Sequence, residues 1–135
     1  MSFAGINFAA VAVAAMLTFA FGAVWYMALS KPWMQAVGLK PEDAKPSPKL
    51  FGLTLLCLLV MAWVLAGILG HLGPGQVTIR NGLITGGFLW LGCVATTLIV
   101  NNAYAFRKSS LTLIDGGHWL GVLLIQGAVL GAFGA

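Results

Sequence analysis

Charge is scarce in this sequence, and acidic charge scarcest. Only 7% of the 135 residues are Asp, Glu, Lys or Arg, and the acids are Glu42, Asp43 and Asp115. A water-soluble domain carries about a quarter charged residues because its surface must be solvated. With 60% hydrophobic residues, this chain cannot cover itself in water. The shortage of carboxylates also excludes a paired-carboxylate site, and neither a nucleophile–base pair nor a phosphate-binding glycine loop is present, so an enzyme is not expected. Cysteine is equally sparse. Cys57 and Cys93 stand singly inside apolar stretches, with neither CxxC spacing nor a His cluster, so no metal and no cofactor are expected and both read as free, buried packing residues.

What the sequence does hold is long apolar runs. One helix needs about 20 apolar residues to cross roughly 30 Å of hydrocarbon. Four runs qualify, over about residues 6–29, 50–72, 79–104 and 111–133. They are apolar all round, without the short alternating segments of a β-barrel. The expected fold is all-α: an integral membrane bundle of four transmembrane helices forming a single domain over residues 1–135. Met1-Ser2-Phe3-Ala4 lacks the Lys or Arg that opens a signal peptide, and the run after it is longer than a signal core, so the first span is expected to be a mature helix.

Loop charges orient the bundle. Lys31, Lys40, Lys45 and Lys49 lie between the first two spans, and Arg107 and Lys108 between the last two. The opposite side, with both termini and the Gly73-Pro74-Gly75 turn, carries Arg80. Such a bias places the basic loops in the cytoplasm, hence both termini on the periplasmic side of a bacterial inner membrane. The formal charge of +4 therefore serves insertion in a lipid bilayer. It is not interleaved with aromatics as a nucleic-acid surface would be, and no nucleic acid partner is expected.

Within the first loop, Lys31-Pro32-Trp33-Met34-Gln35-Ala36-Val37-Gly38 places Pro at a helix start and Gly at its stop. This predicts a short interfacial helix, with Trp25, Trp33 and Lys31 as headgroup anchors beside Tyr26. The proline-rich residues 40–48 read as an exposed connector. Thr78 is the expected cap of the third span, and Ser109 or Ser110 of the fourth. Gly22-Ala23-Val24-Trp25 and Gly87-Phe88-Leu89-Trp90 form a short internal match.

Helices in lipid gain little by burying Leu, so they associate through close backbone approach and interhelical polar contacts. At 100° per residue, Gly117, Gly121, Ala128, Gly131 and Ala132 form one small-residue stripe on the fourth span, with Ala10 and Ala14 as candidate partners on the first. On the third span, Gly86, Trp90, Cys93, Thr97, Asn101 and Tyr104 recur at spacings of three and four. That polar face is expected to look into the bundle or into a neighbouring subunit, because lipid cannot satisfy it.

One constellation carries candidate chemistry. Asp115 and His118 at the start of the fourth span, Asn101 and Asn102 near the end of the third, Tyr26 near the end of the first, and Arg107 in the loop meet at similar depth. A carboxylate deep in a membrane costs about 2.5–3.5 kcal/mol on insertion scales, so Asp115 needs a partner among Arg107, Lys108, His118 and the amides. The cluster reads either as a clamp pinning the hairpin or as a proton or ligand site. Gln126, deeper on the same side, reads as interhelical glue.

These residues resemble a known family, domain of unknown function 1761, whose members are small bacterial four-helix membrane proteins. The resemblance covers nearly the whole chain. It rests on Phe21-Gly22-Ala23-Val24-Trp25-Tyr26, Lys31-Pro32-Trp33-Met34, Gly38-Leu39 and Leu113-Ile114-Asp115-Gly116-Gly117-His118, with Gly92-Cys93-Val94-Ala95-Thr96 and Asn101 in support. In the family pattern an aromatic follows the Asp-small-Gly group, where this chain has His118 before Trp119. The resemblance implies topology, not an activity. The expected role is a structural or accessory subunit that packs against itself, as a homo-oligomer, or against a larger membrane complex. The alternative is a small oligomeric transporter or channel with its polar mouth around Asp115.

Overall fold

The computed structural model describes residues 3–134. Among them the chain runs α1 (Phe8–Ala28), α2 (Ser30–Val37), α3 (Pro48–His71), α4 (Ile79–Leu89), a π-helical segment (Trp90–Ala95), α5 (Thr96–Tyr104) and α6 (Ser109–Phe133). Four helices are long and apolar enough to cross a membrane: α1, α3, the continuous run Ile79–Tyr104 and α6. The expected positions of the chain ends involve Met1, Ser2 and Ala135, which lie outside the described residues, as do the first two residues of the segment compared with a signal peptide.

Polar side chains set the helix starts. Asn7, Ser47 and Thr78 each accept a hydrogen bond from the backbone N–H three residues on, satisfying one of the free donors of the first turn. Pro48 follows its cap at the first helical position, where its missing N–H costs nothing. α6 departs from expectation: its cap position is Lys108, with no side-chain cap bond, and Ser109 already lies inside the helix. α1 and α2 are separated by Leu29 alone, and α2 stops at Gly38, whose φ of 84° suits a residue without Cβ.

α6 is the hub, packing against α1, α2, α3, α4 and α5. Its contact with α4 is backbone on backbone. A Cβ built on Gly82 would strike the Gly127 carbonyl and one on Gly127 the Gly82 carbonyl, while Gly86 lies against Leu123 and Gly131 against Thr78. Gly127, absent from the expected stripe, therefore belongs to the tightest crossing. The stripe itself divides: Gly117 and Gly121 receive the Trp25 and Phe21 rings of α1, Gly131 meets α4, Ala128 is half-buried and Ala132 exposed. A face defined only by angle cannot show that two neighbours share it. Ala10, Val11 and Ala14 of α1 and Ala62, Leu65, Ala66 and Leu69 of α3 close on Leu123 and Leu130 of α6.

The third long helix is not regular. Six residues, Trp90–Ala95, take π geometry, and the Thr96 and Thr97 hydroxyls donate to the Gly92 and Cys93 carbonyls. A π turn inserts an extra residue, which rotates the remainder of the helix by about 100°. Gly86 is thus buried and Trp90 half-buried, whereas Cys93, Thr97, Asn101 and Tyr104 are exposed. Cys57 and Cys93, expected to be buried, are both exposed, because each lies on a helix face that no neighbouring helix covers. The expected single polar face is broken at its middle, and its second half points away from its own bundle.

Candidate functional site

Three tryptophans from three parts of the chain converge on three successive residues of α6. The Trp25 indole N–H donates to the Ile114 carbonyl at 3.1 Å, that of Trp33 to Asp115 Oδ1 at 3.3 Å, and that of Trp90 to the Gly116 carbonyl at 2.8 Å. The Tyr26 hydroxyl donates to the same Asp115 oxygen at 2.7 Å. A backbone carbonyl has two lone pairs, so Ile114 and Gly116 keep their helical bonds while accepting an indole. Gly117 makes the approach feasible, since a Cβ there would lie 2.9 Å from the Trp25 ring.

Trp25 and Trp33, expected as headgroup anchors, are half-buried and donate hydrogen bonds to α6, and Lys31 is exposed. A buried or half-buried indole N–H usually finds a hydrogen-bond partner. Trp25 and Trp90, which end the two matching tetrapeptides, both dock on α6 carbonyls. Replacing Trp90 with Phe, which keeps the ring but loses the donor, is expected to lower stability by about 1 kcal/mol. Equilibrium unfolding in mild detergent checks this, and an unchanged midpoint contradicts it.

His118 sits one turn beyond Asp115, 6% exposed. Its ring stacks on Phe21 at 5.9 Å and lies against Tyr26 at 4.9 Å and Trp119 at 4.6 Å. Gly22 leaves room for it: a Cβ there would be 3.0 Å from Nε2. His118 Nδ1 is buried without a hydrogen-bond partner, so His118, one of the expected partners of Asp115, is not hydrogen-bonded to it through that nitrogen.

The other cluster members separate. Asn102 reaches α6 at Thr112, 3.0 Å away, not at Asp115. Asn101 and Arg107 are exposed, and Lys108 Nζ rests on the Gln35 carbonyl. The π turn explains Asn101, having rotated it off the inner face. Arg107 is drawn away by the tight turn at Phe106, whose φ is 55°. The partners of Asp115 are neutral donors from α1 and α2, two elements remote in sequence.

Two turns deeper, Gln126 is fully buried. Its amide Nε2 donates to Thr18 Oγ1 at 3.3 Å and to the Leu58 carbonyl at 3.1 Å, linking α6 to α1 and α3. Oε1 has no partner. Sequence reasoning identified the amide but not Thr18, although the four-residue spacing of Thr18, Gly22 and Tyr26 mirrors the α6 face carrying Asp115, His118 and Gln126. No group of three or more His, Cys, Asp or Glu that could hold a metal occurs among the described residues.

A model of a protein family of unknown function, DUF1761, matches residues 9–131. The chain belongs to the DUF1761 family. The matched stretch includes every residue of the tryptophan and carboxylate cluster, so the order of segments behind the resemblance and the geometry at α6 concern the same part of the DUF1761 chain. Neither the curated proteins nor the solved structures contain a match.

Proposed function

We propose that this DUF1761 protein is a structural subunit of the bacterial cytoplasmic membrane that assembles with a second copy of itself through α5 and the π segment. The supporting observation is the exposed polar face of Cys93, Thr97, Asn101 and Tyr104. Thr97 satisfies its hydroxyl on its own backbone. Asn101 does not: its side-chain amide has no partner among the described residues, and lipid offers none. A carboxamide carries both donor and acceptor, so two Asn101 side chains pair across a two-fold axis, the kind of contact that holds helices together in hydrocarbon. Around Asp115, the indoles and the Tyr26 hydroxyl serve interhelical bonds, consistent with a scaffold.

Cys93 makes the reading testable. It lies about two turns from Asn101 on the same exposed face. With Cys57 changed to Ser, mild oxidation of native membranes is expected to yield a Cys93–Cys93 disulfide dimer, and Asn101→Leu to reduce it several-fold. Native mass analysis that shows a lone monomer, together with no cross-link, rejects the proposal.

A further inference from the structure

The seam between α1 and α6 is a ladder of three rungs. Tyr26 meets Asp115, Gly22 meets His118, and Thr18 meets Gln126. Two rungs hold buried polar atoms without partners, His118 Nδ1 and Gln126 Oε1. Such atoms are rare in folded proteins and point to a ligand that protein groups do not supply.

The surroundings of His118 suit one ligand, the proton. Three aromatic rings, Phe21, Tyr26 and Trp119, wall the imidazole, and aromatic faces attract a cation. Asp115, one turn away, has one oxygen held by the neutral donors Tyr26 and Trp33 and no Lys or Arg among its hydrogen-bond partners. A carboxylate so placed lacks a counter-charge, and an imidazolium would supply it. The titratable groups facing His118 are Tyr26 from α1 and Asp115 from α6. α2 contributes the uncharged Trp33, while Arg107 is exposed and Lys108 is held at Gln35.

We infer that His118 is a proton-binding site, loaded from the membrane face at which α6 begins and retained as imidazolium inside the box of Phe21, Tyr26 and Trp119, with the Asp115 carboxylate as its counter-charge. The balance is simple. A proton from water adds to the His118 imidazole, giving imidazolium one turn from the Asp115 carboxylate; one proton and one positive charge are gained. The site does not depend on self-association, since all its residues lie within one chain.

The chain has two histidines, and His71, exposed at the end of α3, is an internal control. Nitrogen-15 histidine NMR of the full chain in lipid nanodiscs, acidified from about pH 8 to about pH 5, is expected to show the His118 ring nitrogens converging on the imidazolium signature. Asp115→Asn retains an oxygen for Tyr26 and Trp33, and is expected to lose the His118 imidazolium signal at the lower pH while His71 behaves as before. A His118 that stays neutral in the unaltered protein while His71 titrates overturns the inference, whether or not the variant folds. An undiminished imidazolium in folded Asp115→Asn overturns the role given to the carboxylate.

Discussion

Gly127→Val is expected to unfold or severely destabilise the protein, because the branched side chain would have to occupy space filled by the Gly82 backbone. Overpacking of an ordinary core costs about 1–3 kcal/mol, since side chains rotate and shift to absorb the extra volume. Here the obstacle is main chain on both sides, and relief requires α4 and α6 to separate. The loss should therefore lie at or above the top of that range, about 3 kcal/mol. Separation would also carry Trp90 away from the Gly116 carbonyl and remove the Gly86 and Gly131 contacts. Gly87→Ala is the matched control, one helix face away, where an added Cβ meets nothing within 4 Å. It should leave stability unchanged or raise it by less than about 1 kcal/mol, as alanine favours a helix over glycine. Thermal or denaturant unfolding of the two variants in the same detergent checks the pair. Equal stability of Gly127→Val and Gly87→Ala would show that the crossing is not the tight element described.

Asp115→Ala carries the second largest expected effect. It removes the shared acceptor of Tyr26 and Trp33, a group at which α1, α2 and α6 meet. Hydrogen bonds to charged groups contribute about 1.5–3 kcal/mol each. Asp115 is half-buried, so solvent screening reduces that figure and a total loss of about 2–3 kcal/mol is expected. The effect should be local as well as global. α2 packs on α6 and is bonded to it by Trp33, and without the carboxylate its amides should exchange hydrogen faster while those of α3 do not. Asp115→Asn keeps an oxygen at the same place and should lose less than half as much. Hydrogen exchange read by mass spectrometry separates the cases. Identical behaviour of the Ala and Asn variants would mean that the acceptor is not what holds α2.

Much of the fold was legible because its signals are one-dimensional. Span length depends on the count of apolar residues, and Thr78 and Gly38 act within their own turns. The candidate site was legible only in outline. Tyr26, Asp115 and His118 do come together, since they lie at the ends of helices whose lengths and order set their depth. Asn101 and Arg107 do not, because depth leaves rotation about the helix axis free. A π segment of six residues turned Asn101 outward, and no residue in Trp90–Ala95 announces it: only the Thr96 and Thr97 hydroxyls, which satisfy carbonyls of that segment, offer a local hint.

The tryptophans illustrate the same division. Their amphipathic character is visible in the sequence, but nothing local reveals that Ile114 and Gly116 each present a second lone pair to an indole. The glycines beside Asp115 were visible, but their purpose depends on which ring lies over them.

By itself, the sequence determined the number, length and order of the apolar helices, the short helix between the first two, and the presence of one carboxylate among them. These features arise from hydropathy and capping, which act over a turn or over a run of apolar residues. Only the tertiary structure decided which glycines touch backbone, which face of α5 is left open, and that Asp115 is held by Tyr26 and Trp33 instead of a loop cation. Those outcomes depend on the rotation and separation of helices, and both are set by contacts between residues as much as 108 positions apart.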